Sequence, residues 1–263
     1  MTQARPEIAV IGGSGFYSFF DDRAERITVD TPYGSPSSSI TIGMVGGRRT
    51  AFLARHGEHH EFPAHRVPYR ANMWALRRLG VQRVVSPCAV GSLTTDLLVG
   101  TIAVPDQLVD RTSGREQTFF DRGAVHVPFA DPYCPELRLT SLQSGAVEGG
   151  TMVVVEGPRF STRAESQWFA AQGWTLVNMT GHPEAVLARE LELCFASVAL
   201  VTDLDAGLNA GEGVRTKDVF AEFERNLEPF KDLIRSIVQA APVGPACSHC
   251  RVHQNTILPI ELP

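Results

Sequence analysis

Four groups of residues in this 263-residue chain have types and spacing suited to chemistry. The first is "ARHGEHH", residues 54–60. Arg55 closes a short apolar run, and its planar fork of N–H donors matches the oxygens of a phosphate. His56 can add one more donor. His56, His59, His60 and His65, four of the eight histidines, crowd around Arg55, Arg66 and Arg70. Histidines so dense suit a metal; arginines so dense suit an anion. The second group is "IAVIGGSGF", residues 8–16. An apolar run enters Gly12, Gly13, Ser14 and Gly15, where backbone N–H groups can turn toward an anion and Ser14 adds a hydroxyl. A dinucleotide GxGxxG and a Walker lysine are both missing, so a plain tight turn accounts for the pattern equally well.

The third group is "EGPRFSTRAES", residues 156–166, in which Phe160 could stack on a planar ligand and Ser161 could cap a helix. The fourth pairs "NMTGHPE" (178–184) with "VTDLD" (201–205). Asp203 and Asp205 stand two apart just past an apolar run, a poor place for core residues. They could bind a metal, work as acid and base, or hold a heterocycle through amino and ring-nitrogen groups. The plain reading is a capping aspartate. A fifth stretch, "CSHCRVH" (247–253), offers Cys247, His249, Cys250 and His253. It has no second pair at zinc-finger spacing, and Cys88, Cys134 and Cys194 are scattered along the chain. An ordinary tail is expected there, with a structural zinc as the alternative.

These residues need a scaffold. Apolar, β-branched runs at Ile8–Ile11, Ala51–Ala54, Arg83–Val85, Thr101–Val104, Thr151–Val155, Leu176–Asn178 and Ser197–Thr202 predict strands. Their hydrophobicity is continuous rather than alternating, as in a sheet buried on both faces. Helical spacing appears in 63–80, in 161–173 behind Ser161, in 182–193, and in a longer stretch over 216–241 that Pro229 could bend. Residues 105–135 are poorly periodic, and loops of that length are more often functional than idle. The expectation is one α/β domain over 1–263, a central mixed, largely parallel β-sheet flanked by helices, with an irregular C-terminal tail over 242–263.

Bulk properties narrow the function classes. The net charge of −5 argues against a general nucleic-acid binder, although 48–70 could still supply a local basic pocket. No apolar run reaches membrane-spanning length, and the N-terminus lacks a signal-peptide core. Five cysteines in a chain this long do not read as a secreted disulfide scaffold. A cytoplasmic protein with reduced thiols is expected.

Taken together the motifs resemble one family. "IGGSGF", "DTPYG", "ARHG", "HRVPYRANMWAL", "AVGSL", "DQLVDRTSGR", "EGPRFSTRAES", "NMTGHPEAVLARE" and "TDLD" occur in the order seen in 5′-methylthioadenosine phosphorylases, members of the trimeric purine nucleoside phosphorylases. The resemblance spans about residues 8–240. It implies the nucleoside phosphorylase fold, a homotrimer, and phosphorolysis of a purine nucleoside. Inorganic phosphate would be a co-substrate, with no metal and no cofactor. It implies a phosphate cradle of Ser14, Arg55, His56, Ala89 and Thr180, a ribose over Met179, and a purine among Phe160, Ser161, Thr202, Asp203 and Asp205. Asp203, with Asp205 beside it, would be the catalytic acid at purine N7. Such a role requires a raised pKa. His126 would enter the 5′ pocket of the neighbouring subunit, and Val219 would wall it.

Two positions bear on the base. Superfamily members that cleave inosine and guanosine typically carry Glu in place of Ser161 and Asn in place of Asp203. A 6-aminopurine offers an N6 donor, which suits a carboxylate; a 6-oxopurine offers O6, which does not. Ser161 and Asp203 therefore indicate adenine. Gly181 is shared with relatives that prefer methylthioinosine, which keeps that substrate, adenosine and other 5′-modified adenosines as alternatives. Cys88 replaces the usual phosphate-binding Thr, and a thiol is the weaker donor. A metal-dependent hydrolase is the reading from a different class.

Overall fold

The computed structural model describes residues 5–13, 16, 19–20, 24–206, 213–253 and 256–263. Among these, eleven strands form one sheet. In chain order they are β1 (Ile8–Gly12), β2 (Glu25–Ile27), β3 (Ile40–Val45), β4 (Arg48–Ala54), β5 (Arg83–Ser92), β6 (Ile102–Val104), β7 (Gln107–Arg111), β8 (Val147–Glu148), β9 (Thr151–Val155), β10 (Leu176–Asn178) and β11 (Cys194–Leu204). Five α-helices accompany them: α1 (Tyr69–Arg78), α2 (Pro135–Gln143), α3 (Arg163–Ala171), α4 (Gly181–Glu190) and α5 (Thr216–Ala240). Residues of α1 and α4 join the core on one face of the sheet, and residues of α2 and α5 join it on the other. Both faces are thus covered, which is why β1 and most of β11 are apolar without alternation.

The path β2-β3-β4-β1-β5-β10-β9-β7 branches at β5, which also pairs with β11. On one edge β11 runs parallel to β5 along its whole length. On the other edge β1 pairs only with Arg83–Val85, and β10, antiparallel, pairs only with Gly91 and Ser92. Among the described residues, Ser86–Val90 are therefore left without a strand partner on that edge. Backbone carbonyls there still need donors, and side chains supply them. Arg55 Nη1 donates to the Pro87 carbonyl at 3.2 Å, and Asn178 Nδ2 donates to the Ala89 carbonyl at 3.1 Å. The fork in the sheet creates a polar notch where the ends of β1, β4 and β10 meet the middle of β5.

The other edge of β5 carries a bulge. Val201 opposes Val90 and Asp203 opposes Gly91, so Thr202 is the extra residue. A bulge of this kind re-aims the side chains beside it. Thr202 Oγ lies 3.2 Å from the Val90 carbonyl and 2.9 Å from Asp203 Oδ2.

Several sequence expectations shift. The strand expected over Arg83–Val85 extends to Ser92, because the β11 ladder continues beyond the most apolar residues. The stretch 105–135 is not all loop: β7 lies in it and pairs with β9 in parallel. The cap of α3 is Thr162 rather than Ser161. Its hydroxyl accepts from Glu165 N–H, and the Glu165 carboxylate accepts from Thr162 N–H, a reciprocal capping box. That arrangement releases Ser161 from a structural duty. Helix α5 runs through Pro229 as one element. Beyond it, the described residues of 242–263 form neither helix nor strand. No helix among the described residues is long and apolar enough to cross a membrane.

Candidate active site

A cavity of about 360 Å³ opens at the fork of the sheet. Eleven of the thirteen residues expected at the site line it. They are Arg55, His56, Ala89, Phe160, Ser161, Met179, Thr180, Thr202, Asp203, Asp205 and Val219. Ser14 lies outside the described residues. His126 is exposed and lines a separate depression with Phe120, Val127 and Glu190, so its own chain does not bring it to this cavity.

Arg55 follows directly on β4 and is 1 % exposed. Its Nε donates to Glu184 Oε1 at 2.5 Å, and its Nη2 reaches Glu184 Oε2, Ser86 Oγ and the Ile11 carbonyl. Burying a guanidinium requires this kind of carboxylate and hydrogen-bond compensation. Of five N–H donors, one on Nη1 remains after the bond to Pro87 when only partners among the described residues are counted. The Gly13 backbone lies so close that a Cβ there would fall 2.8 Å from Nη1. Gly13 and the arginine thus share one small polar corner. Glu184 is the partner that sequence reading missed. The signal was present, since a strand-end Arg destined for burial must have a carboxylate, but only the fold says which.

His56 corrects an expectation. Its Nδ1 is 2.8 Å from the Phe62 carbonyl, a bond that only an Nδ1–H can make. Burial, and then the Arg55 charge, push its pKa down to about 4, so the ring is neutral at pH 7. A neutral ring with Nδ1–H presents Nε2 as an acceptor, not as the extra donor foreseen. It therefore suits the P–OH of a protonated phosphate. His60 stacks on His56 with centroids 4.6 Å apart and lines the cavity. Its φ of 61° is unusual for a non-glycine residue, and such outliers concentrate at functional sites.

The opposite wall is built from β10 and the loop after it. Asn178 Oδ1 accepts from the N–H groups of Thr180 and Gly181, at 2.7 and 2.6 Å. This pins the turn that presents Met179 and Thr180. Arg115, 3 % exposed at its side chain, donates to the Met179, His182 and Glu156 carbonyls. Asn178 and Arg115 are positioning residues that were not singled out from the sequence. Cys88 does reach the cavity. Burial pushes its thiol up to about 12, so it stays protonated and offers only a weak S–H donor.

Asp203 lines the same cavity. It leaves the bulge toward the cavity, and Gly91 makes room for it. A Cβ on Gly91 would sit 2.9 Å from Asp203 Oδ1 and 2.9 Å from Val177 Cγ1. Burial raises the Asp203 pKa to about 6, against the Thr202 hydroxyl and with help from the Asp205 charge. Burial also raises the pKa of Asp205, opposed by the Ser166 hydroxyl and the Ala206 N–H. Among the described residues, Asp205 Oδ2 and Ser161 Oγ are buried without a well-formed hydrogen bond, although the Ser161 hydroxyl is near enough to Asp205 to help hold its pKa down; both atoms are placed to address a ligand. Val219, Phe220 and Phe223 of α5 add an apolar wall. A carboxyl that is partly protonated near neutrality, in a pocket with one polar corner and one apolar wall, matches a general acid beside an anion site.

The sequence profile of the phosphorylase superfamily matches residues 7–240. The chain belongs to this superfamily. Its relatives among characterised proteins include the S-methyl-5′-thioadenosine phosphorylase of Mycolicibacterium smegmatis, 65 % identical over 97 % of this chain and 99 % of that protein. The enzyme of the same name from Mycobacterium tuberculosis is 62 % identical over 97 % of both chains. A purine nucleoside phosphorylase of Streptomyces coelicolor is 54 % identical over 92 % of this chain and 91 % of that protein. Among solved structures, the methylthioadenosine phosphorylase of Schistosoma mansoni in complex with adenine superimposes with a TM-score of 0.85 at 35 % identity. It covers 89 % of this chain and 91 % of that one. The nucleoside phosphorylase fold is thus established for this chain, within a family of pentosyltransferases.

Proposed function

We propose that the protein catalyses phosphorolysis of S-methyl-5′-thioadenosine, yielding adenine and 5-methylthioribose 1-phosphate. The observation that carries this reading is Asp203, a buried carboxyl with a pKa near 6 that lines the same cavity as Arg55 and Gly13. The names of the relatives support the same substrate. In the reaction the C1′–N9 bond breaks while a phosphate oxygen bonds to C1′. The leaving purine gathers negative charge, and Asp203 transfers its proton to N7. Arg55 and Thr180 hold the phosphate with the Ala89 backbone and Ser14, and His56 Nε2 accepts its P–OH. Phe160 stacks on the base, Ser161 and Asp205 address its polar edge, and Met179 lies under the ribose. Val219 and Phe220 suit a methylthio group better than a hydroxyl. Inorganic phosphate is the co-substrate, and the chemistry calls for no cofactor or catalytic metal. The working assembly is a homotrimer in which His126 of one subunit completes the 5′ pocket of the next, and the setting is cytoplasmic.

A substrate panel tests this reading: methylthioadenosine, adenosine, methylthioinosine and inosine, each with and without phosphate. Adenine should be released only with phosphate, and fastest from methylthioadenosine. Equal or faster hypoxanthine release from the inosine-type substrates would refute the aminopurine assignment. Adenine release that needs no phosphate would refute phosphorolysis in favour of a hydrolase.

A further inference from the structure

Remote from the cavity, four of the five cysteines converge from three separate parts of the chain. Cys134 immediately precedes α2, Cys194 opens β11, and Cys247 and Cys250 follow α5. One sulfur from each lies within 4.8 Å of the other three. Cys134 Sγ and Cys247 Sγ are 3.7 Å apart, and all are free thiols. Four thiolates held tetrahedrally around zinc at about 2.3 Å stand roughly 3.8 Å from one another, close to that separation.

The backbone around the sulfurs is also prepared. The N–H groups of Cys250 and Arg251 both donate to the Cys247 carbonyl, at 3.1 and 3.2 Å, which folds the C-x-x-C segment into a tight turn. The Cys247 N–H donates to Cys194 Sγ at 3.3 Å, the outer-sphere bond that supports a thiolate ligand. Cys134 sits just before α2, at its N-cap position. Its own N–H is fixed on the Phe195 carbonyl at 2.8 Å. Arg83, buried and in register with Cys194, holds the Gly244 and Pro245 carbonyls just ahead of the C-x-x-C turn. Packing preference explains a single buried cysteine. It does not explain four sulfurs from three segments gathered at one point.

The local tail cluster is not the one that forms. His249 Nε2 lies against the Asp131 carbonyl and Arg189, and His253 Nε2 against the Glu190 carbonyl. Cys134 and Cys194, scattered in sequence, take their places.

We propose that Cys134, Cys194, Cys247 and Cys250 form a tetrathiolate zinc site that clamps the C-terminal segment onto β11 and α2. Each thiol gives its proton to solvent as its Zn–S bond forms, so no oxidant or reductant takes part. Four protein ligands leave no open coordination position, which makes the site structural. Asp203 lies nine residues along β11 from Cys194, about 30 Å at strand rise, so the metal takes no part in the chemistry.

The test is elemental analysis of the full chain, expressed with zinc in the medium and purified under reducing conditions without chelator. A cobalt(II) titration of the metal-stripped wild-type protein accompanies it. The expected result is one zinc per chain and the visible bands of tetrahedral cobalt thiolate. Cys247→Ser should lose most of the zinc, Cys247→His should retain it with altered cobalt bands, and His249→Ala and His253→Ala should keep full stoichiometry. Folded wild-type protein with no stoichiometric zinc and no cobalt thiolate bands would overturn the proposal. So would these four cysteines occurring as disulfides, or loss of zinc on His249→Ala. If Cys247→Ser does not fold, the wild-type cobalt spectrum decides.

Discussion

Replacing Asp203 by Asn removes its ionisable carboxyl while keeping the side chain's size and shape, so its consequence can be worked from the structure. With a pKa of about 6, roughly one Asp203 carboxyl in eleven is protonated at pH 7, against about one in 1,600 for an unshifted aspartate. Burial thus raises the supply of general acid about 150-fold at neutral pH. For the wild type, kcat/KM for the nucleoside at saturating phosphate should be level below pH 6 and fall about tenfold per unit above it. Asp203→Asn should lower kcat/KM by about 10²–10⁴ at pH 6, the usual worth of a positioned acid. Its profile should lack the limb centred near 6, so the gap to wild type narrows as pH rises. The assay is adenine release followed from pH 5 to 9 with intact fold checked at each pH. A variant that keeps the wild-type limb would show that the limb belongs to another group, and the assignment of Asp203 as acid would fail. The variant should also shift its preference toward 6-oxopurines, because an amide can donate to O6.

The same substitution has a stability consequence. The buried native carboxyl holds its proton to higher pH than the unfolded chain does, so wild-type stability falls between about pH 4 and 6 and is level above. Asp203→Asn carries no such penalty and should gain up to about 3 kcal/mol above pH 6 with no gain below pH 4, read from urea midpoints. Glu184→Gln leaves the Arg55 guanidinium buried with one charge uncompensated; a loss of about 3–5 kcal/mol is expected in urea unfolding, together with a higher KM for phosphate. Gly91→Ala places a methyl against Asp203 Oδ1 and Val177 Cγ1, so kcat should fall by more than KM rises, measured by steady-state kinetics. His56 is neutral well above its pKa of about 4, so His56→Gln should raise the phosphate KM without changing its pH dependence between 6 and 8. His126→Ala should alter 5′ selectivity in the substrate panel and leave phosphate KM unchanged.

Much of the site was legible from local sequence. Arg55, Thr180, Asp203 and Asp205 each follow or close an apolar run, and ligands in α/β sheets gather at such strand ends. The strands themselves could be read because burial on both faces writes an uninterrupted apolar run. Other features depend on contacts between distant segments, which no local pattern encodes. Glu184 neutralises Arg55 across 129 positions of chain. The bulge at Thr202 exists only relative to the β5 register, and it decides where Asp203 points. The acceptor role of His56 comes from the Phe62 carbonyl, not from its residue type. The four cysteines show the contrast most plainly. Sequence placed two of them beside two histidines in a compact tail motif. The tertiary structure sends those histidines to backbone carbonyls and brings in Cys134 and Cys194, because β11 and the start of α2 meet under the tail. Residue types and their spacing determined which chemistry this chain can perform. Only the fold decided which groups are buried, paired and aimed, because pKa values and hydrogen-bond roles are set by neighbours remote in sequence.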